Sequence, residues 1–104
     1  MARMVVIYRK PADVNAFAKH YFETHIPLAK NIPGLRKYEL SRGPVTVVAG
    51  PPDVHLIGTL HFDHLDVIKA AFASPEGRAA SADRRLYAPD DSGVQMYLFD
   101  NQEV

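Results

Sequence analysis

Histidine and tyrosine are the side chains of this sequence best suited to moving protons near neutral pH. His25 stands out among them. A histidine has an ordinary pKa near 6.5, so it can give or take a proton at working pH. His25 falls on an apolar stripe, Val14, Phe17, Ala18, Tyr21 and His25, at the three- and four-residue steps of an amphipathic helix, with Leu28 as its extension. Pro27 follows two residues later and is expected to interrupt that helix, because proline has no amide hydrogen and pushes Ile26 out of the helical region. Tyr38 is the second candidate. It lies just beyond the Pro33-Gly34 turn, on a strand that can fold back beside the helix and bring its hydroxyl to His25. Such a pair could abstract and return a proton next to a carbonyl, or hold the polar group of an otherwise apolar ligand. A buried histidine and tyrosine can equally satisfy each other and do no chemistry.

The other titratable residues offer less. His20 lies about 140° around an α-helix from His25, so the two are not expected to share a ligand, and solvated surface is the expected place for His20. Glu23 is on the far side of the helix from His25; Tyr21, one turn before it, is better placed as a supporting partner. His61 and His64 straddle a strand-helix junction without a thiol or further carboxylate to complete a zinc site, so no metal is expected. Asp63 and Asp66 read as helix-capping residues. Arg78, Arg84 and Arg85 read as the solvated face of a helix. The chain has no glycine-rich phosphate loop, dinucleotide fingerprint or nucleophile elbow, and no cofactor is expected.

These residues must be positioned by a short chain. The 104 residues are expected to form one domain, 1–104, with one modest core. Twelve basic and twelve acidic residues cancel, so no global field draws nucleic acid or an anionic membrane surface. There is no cysteine, hence no disulfide and no thiol nucleophile, which suits a reducing compartment. The apolar run Met4–Tyr8 is too short for a signal peptide or a membrane span, and the cytoplasm is the expected location.

That run reads as a first strand, with Asp13 as N-cap of the helix after it. Alternation over Leu35–Ser41 predicts a second strand and Val54–Phe62 a third. The intervening Arg42–Asp53, rich in proline and glycine, reads as a loop or flap. A second helix is expected from Asp63, with the stripe Leu65, Ile68 and Phe72. Ser74-Pro75 caps a further helical piece over Gly77–Tyr87, and Val94–Phe99 reads as the last strand. The order is β-α-β-β-α-β, an α+β, ferredoxin-like arrangement: a four-stranded antiparallel sheet with helices on one face. The first, third and fourth strands are apolar on both faces, but helices can cover only one. Pairing of two sheets in a homodimer is the simplest remedy.

The blocks Tyr8-Arg9-Lys10-Pro11, Glu23-Thr24-His25-Ile26-Pro27-Leu28-Ala29 and Ile32-Pro33-Gly34-Leu35-Arg36-Lys37-Tyr38 resemble the EthD family. His55-Leu56-Ile57, Leu60-His61-Phe62-Asp63 and Ser74-Pro75-Glu76-Gly77 continue the likeness over nearly the whole chain. The resemblance implies a ferredoxin-like monomer that pairs as a dimeric α+β barrel. The family takes its name from a protein associated with ether-fuel degradation by a cytochrome P450 system. Similar proteins include cofactor-free muconolactone-type isomerases, dehydratases and polyketide-tailoring proteins. In a methylmuconolactone isomerase of similar build a histidine and a tyrosine serve the site, and the matching positions are His25 and Tyr38. That isomerase also uses a cysteine, which this chain lacks.

Three functions stay open. One is a cofactor-independent isomerase or lyase acting on a small hydrophobic oxygenated compound. Its catalytic residues would be His25 and Tyr38, and its pocket walls Tyr8, Phe17, Tyr21 and Phe62. Another is a non-catalytic accessory protein that binds such a ligand for a partner oxygenase. The last is a structural dimer with a filled core.

Overall fold

The computed structural model describes residues 1–104. Strands β1 (Ala2–Arg9), β2 (Lys37–Leu40), β3 (Val54–Phe62) and β4 (Val94–Asp100) form one antiparallel sheet in the order β2-β3-β1-β4. The helices are α1 (Val14–His20), a π-helical turn (Tyr21–His25), α2 (Ile26–Ala29), α3 (Leu65–Ala73) and α4 (Pro75–Tyr87). This is the split βαβ of a ferredoxin-like α+β fold. No helix is long and apolar enough to cross a membrane.

The sheet is sided as its alternation requires. Ala2, Met4, Val6 and Tyr8 of β1 point beneath the helices and are buried, while Arg3, Val5 and Ile7 on the other face are only half-buried. Leu60 and Phe62 of β3 join the first set. The edge strand β4 is poorly covered on both faces: Met96, Tyr97, Leu98 and Phe99 are all exposed. The pairing of β1 with β3 slips between Tyr8 and Arg9, and the His55 ring meets Phe17 edge-on at 5.4 Å instead of lying with Ile57 and Thr59.

Capping explains where the helices begin. Asp13 Oδ1 accepts from the Ala16 amide at 3.0 Å, opening α1. Ser74 Oγ accepts from the Gly77 amide at 3.1 Å, and Pro75 takes the first turn of α4. α3 starts later than expected, with His64 at its cap position, because the Asp63 carboxylate is engaged by Arg36 at 2.8 Å. α3 and α4 cross closely at Gly77, where a Cβ would fall 2.1 Å from the Ala71 carbonyl oxygen; only glycine fits. Gly34, at φ +81°, makes the turn that carries the chain toward β2. Residues 42–53 hold no regular structure, and β2 is shorter than the alternation over 35–41 suggests.

Pro27 does not interrupt the helix. Backbone angles remain right-handed helical from His20 through Lys30. The proline is absorbed by the widened turn just before it, where the Ile26 amide bonds the Tyr21 carbonyl five residues back.

Candidate functional site

The π turn reshapes the helix surface. In an α-helix His20 and His25 would diverge, but an i→i+5 turn brings residues five apart onto one face. Both histidines then reach the same carboxylate on α4. Asp83 Oδ2 meets His25 Nδ1 at 2.9 Å, and Asp83 Oδ1 meets His20 Nε2 at 2.9 Å. His25 and Asp83 are buried; His20 is about one-third exposed. The expectation that His20 is solvated and shares nothing with His25 is therefore corrected, and the reason is the widened turn.

The geometry also assigns the protons. Burial pushes the His25 pKa below its ordinary value, with the charges of His20 and Arg84 acting in the same direction, while the hydrogen bond and charge of Asp83 oppose them. The neutral ring donates its Nδ1 hydrogen to Asp83, which can only accept, and the Nε2 lone pair is left free. The carboxylate orients the imidazole and selects the tautomer that can act as a base.

Aromatic rings pack around this dyad. Tyr21 stacks on His25 with ring centroids 5.5 Å apart, and Tyr87 meets His25 edge-on at 5.3 Å. Four phenols converge here in two bonded pairs. Tyr21 and Tyr38 share a hydrogen bond of 2.5 Å, and Tyr8 and Tyr87 share one of 3.2 Å. Burial is the main cause that raises the pKa of all four, so each stays a neutral phenol able to donate. Gly58 faces this cluster: a Cβ there would stand in ordinary contact with the Tyr21 hydroxyl at 3.6 Å and the Tyr38 ring at 3.7 Å.

A crevice of about 370 Å³, counted with the open space at its mouth, runs between sheet and helices; the room inside it for water-sized groups is about 30 Å³. His25, Tyr38 and Tyr8 line it, with Met4, Val6, Leu60 and Phe72 supplying apolar wall and Met96 lying half-exposed on β4. Phe17, Tyr21 and Phe62 do not line it. Phe17 and Tyr21 stack on each other behind the wall, and Phe62 is buried in the core beside Phe72. Tyr38 reaches the crevice, but its hydroxyl bonds Tyr21 rather than His25.

Sequence reasoning missed three residues at this site: Asp83, Arg84 and Tyr87. Arg84 is buried in the crevice wall, not on a solvated face. The signal available was their spacing. Gly77, Ala80, Asp83 and Arg84 are the buried positions of α4, at helical steps but without an apolar stripe.

The EthD domain matches residues 9–90 of the chain. An uncharacterised 11.0 kDa protein encoded in the thcB–thcC intergenic region of Rhodococcus erythropolis is 34% identical over all 104 residues and 98% of its own length. The crystal structure of an EthD family protein from Bacillus halodurans superposes with a TM-score of 0.87 at 28% identity, over 98% of this chain and 99% of that one. SnoaB of Streptomyces nogalater, described as a cofactor-independent oxygenase, shares the fold with a TM-score of 0.66 at 16% identity, over 99% and 95% of the two chains. A dimeric ferredoxin-like protein of unknown function from Thermobifida fusca does so at 0.64 and 17% identity, over 95% and 90%. The expected likeness is thus found in sequence and in structure alike, and the chain belongs to the EthD family.

Proposed function

We propose that this protein performs acid–base chemistry, without a cofactor, on a small hydrophobic oxygenated compound such as a lactone or an aromatic or polyketide-like ketone. The observation that carries this reading is the buried 2.9 Å contact of His25 Nδ1 with Asp83, in the wall of a crevice that Tyr38 and Tyr8 also line. His25 Nε2 takes a proton from the carbon next to a carbonyl. The C–H electron pair moves into the enolate; returning the proton from Nε2 to another carbon of that conjugated system yields an isomer, whereas collapse of the enolate breaks a β C–O bond and Nε2 gives its proton to the departing oxygen, which leaves as water or an alcohol. Tyr38 donates to the carbonyl oxygen, while Tyr21 donates to Tyr38 and so frees its hydrogen. Asp83 stabilises the imidazolium that forms. The likeness to an oxygenase described as cofactor-independent supports a fold on which side chains alone carry chemistry.

The functional unit in this reading is a homodimer. β4 exposes Met96 at 39%, Tyr97 at 51%, Leu98 at 45% and Phe99 at 41%, an apolar edge that a second copy would cover. The Thermobifida fusca protein of the same fold is described as dimeric.

The test is hydrogen–deuterium exchange. Unsaturated γ-lactones and hydroxylated aromatic ketones are incubated with the protein in D₂O, and loss of the proton signal next to the carbonyl is followed by NMR. Exchange is expected at least about a hundredfold above buffer, and it is abolished in His25→Gln. Exchange that survives His25→Gln unchanged overturns the reading. Binding without exchange by the wild type assigns instead the accessory role, a carrier of such a ligand for a partner oxygenase.

A further inference from the structure

Arg84 is a buried cation whose hydrogen bonding is one-sided. It is 7% exposed and lines the same crevice as His25, Tyr8, Tyr38 and Ser81. Its Nη1 turns toward the chain beyond α4, donating to the Ala88 carbonyl at 2.8 Å and lying 2.5 Å from Asp90 Oδ1. Its Nε–H meets nothing; it is the one buried side-chain polar atom of the protein without a partner. Buried polar hydrogens are almost always satisfied, so this one calls for an acceptor.

The counter-charge is also incomplete. Asp90 is 63% exposed, which lets solvent weaken its field, and it is shared with Arg85 at 3.4 Å. The guanidinium charge is felt at the crevice, since it helps lower the pKa of His25. A cation in an apolar wall, with one donor unmet, matches an anionic oxygen better than a neutral one.

We propose that the crevice takes the oxyanion of an otherwise apolar, ring-sized molecule, a carboxylate or phenolate, with Arg84 as its counter-charge and hydrogen-bond donor. This rests on the crevice being the ligand site of the proposed function, and it narrows that ligand to an acidic one. The oxyanion takes the water-sized inner space on the α4 side, and the apolar body lies in the open mouth of the crevice beside Phe72 and Met96.

Benzoate and benzamide are the probes, equal in shape and different in charge. Their affinities are measured by NMR titration of the full chain at pH 7.5. Benzoate is expected to bind about tenfold more tightly, and Arg84→Gln removes that preference. Asp90→Asn withdraws the competing carboxylate from an exposed site, so it raises benzoate affinity about threefold and leaves benzamide unchanged. That arm decides the matter even where Arg84→Gln does not fold. Equal binding of the two probes, binding of neither, a preference that survives Arg84→Gln, or an unchanged benzoate affinity in Asp90→Asn overturns the proposal. Exchange chemistry with no charge preference sinks the inference alone. A charge preference without exchange upholds the inference and sinks the catalytic reading.

Discussion

Asp83→Asn removes the group on which both histidines depend. An asparagine fits the same space but offers one carbonyl oxygen and one NH₂ where the carboxylate offered two acceptors. If its oxygen keeps the Nδ1 hydrogen of His25, its NH₂ faces His20; if it turns over, the His25 ring must change tautomer and carry its proton on Nε2. Hydrogen bonds to a charged partner contribute about 1.5–3 kcal/mol each. The His25 bond is buried and retains that worth, whereas the His20 bond is one-third exposed and is discounted for screening. The expected loss is therefore about 2 kcal/mol, or a fall in Tm of about 10 °C for a chain of this size. Urea unfolding at fixed protein concentration measures it, and a double-mutant cycle with His25→Ala isolates the pair. A coupling energy of at least about 1 kcal/mol is expected. A loss below about 0.5 kcal/mol, with no coupling, would show that the dyad does not hold the ring, and the tautomer argument would fall with it.

Stability should also depend on pH through His25. Its pKa is lowered in the folded chain, so below about 6.5 the unfolded chain binds the proton more readily. The contribution is fully present above pH 6.5 and is lost as pH falls through the lower folded value; a pH series of unfolding curves that stays flat from pH 7.5 to 5 contradicts this. Tyr21→Phe or Tyr38→Phe alone should cost about 1 kcal/mol by orphaning the other hydroxyl, whereas the double variant should cost less than the two singles summed. Gly77→Ala forces a methyl onto the Ala71 carbonyl and should lower stability by about 2–4 kcal/mol, read by thermal unfolding; an unchanged Tm refutes the close crossing of α3 and α4. Leu98→Asp on β4 should shift the species seen in sedimentation from dimer to monomer, and a wild-type chain that sediments as a monomer rejects the pairing outright.

The order of strands and helices was legible because alternation and helical spacing are strong over β1, β3 and α3, and because Asp13 and Ser74 announce their helices. His25 was visible for the same reason: it occupies an apolar stripe. The rest of the site was hidden by two assumptions. A uniform 3.6-residue period cannot foresee a π turn, and so it sent His20 to solvent when the turn aims it at Asp83. A search for apolar stripes passes over α4, whose buried face is glycine, alanine, aspartate and arginine. Small residues there let the helix approach closely, and the two charged ones are buried with partners at hand: the histidines for Asp83, and the Ala88 carbonyl and Asp90 for the Nη1 of Arg84, whose Nε is left without one.

The widened turn at Tyr21–His25 holds one residue more than an α-helix of equal length would. In family alignments, loss of the histidine pairing should therefore coincide with a one-position gap inside this helix, even where every strand still lines up. Such an indel is an evolutionary marker that can be scored from sequence, and it would separate members able to tether both imidazoles from those that keep only the scaffold.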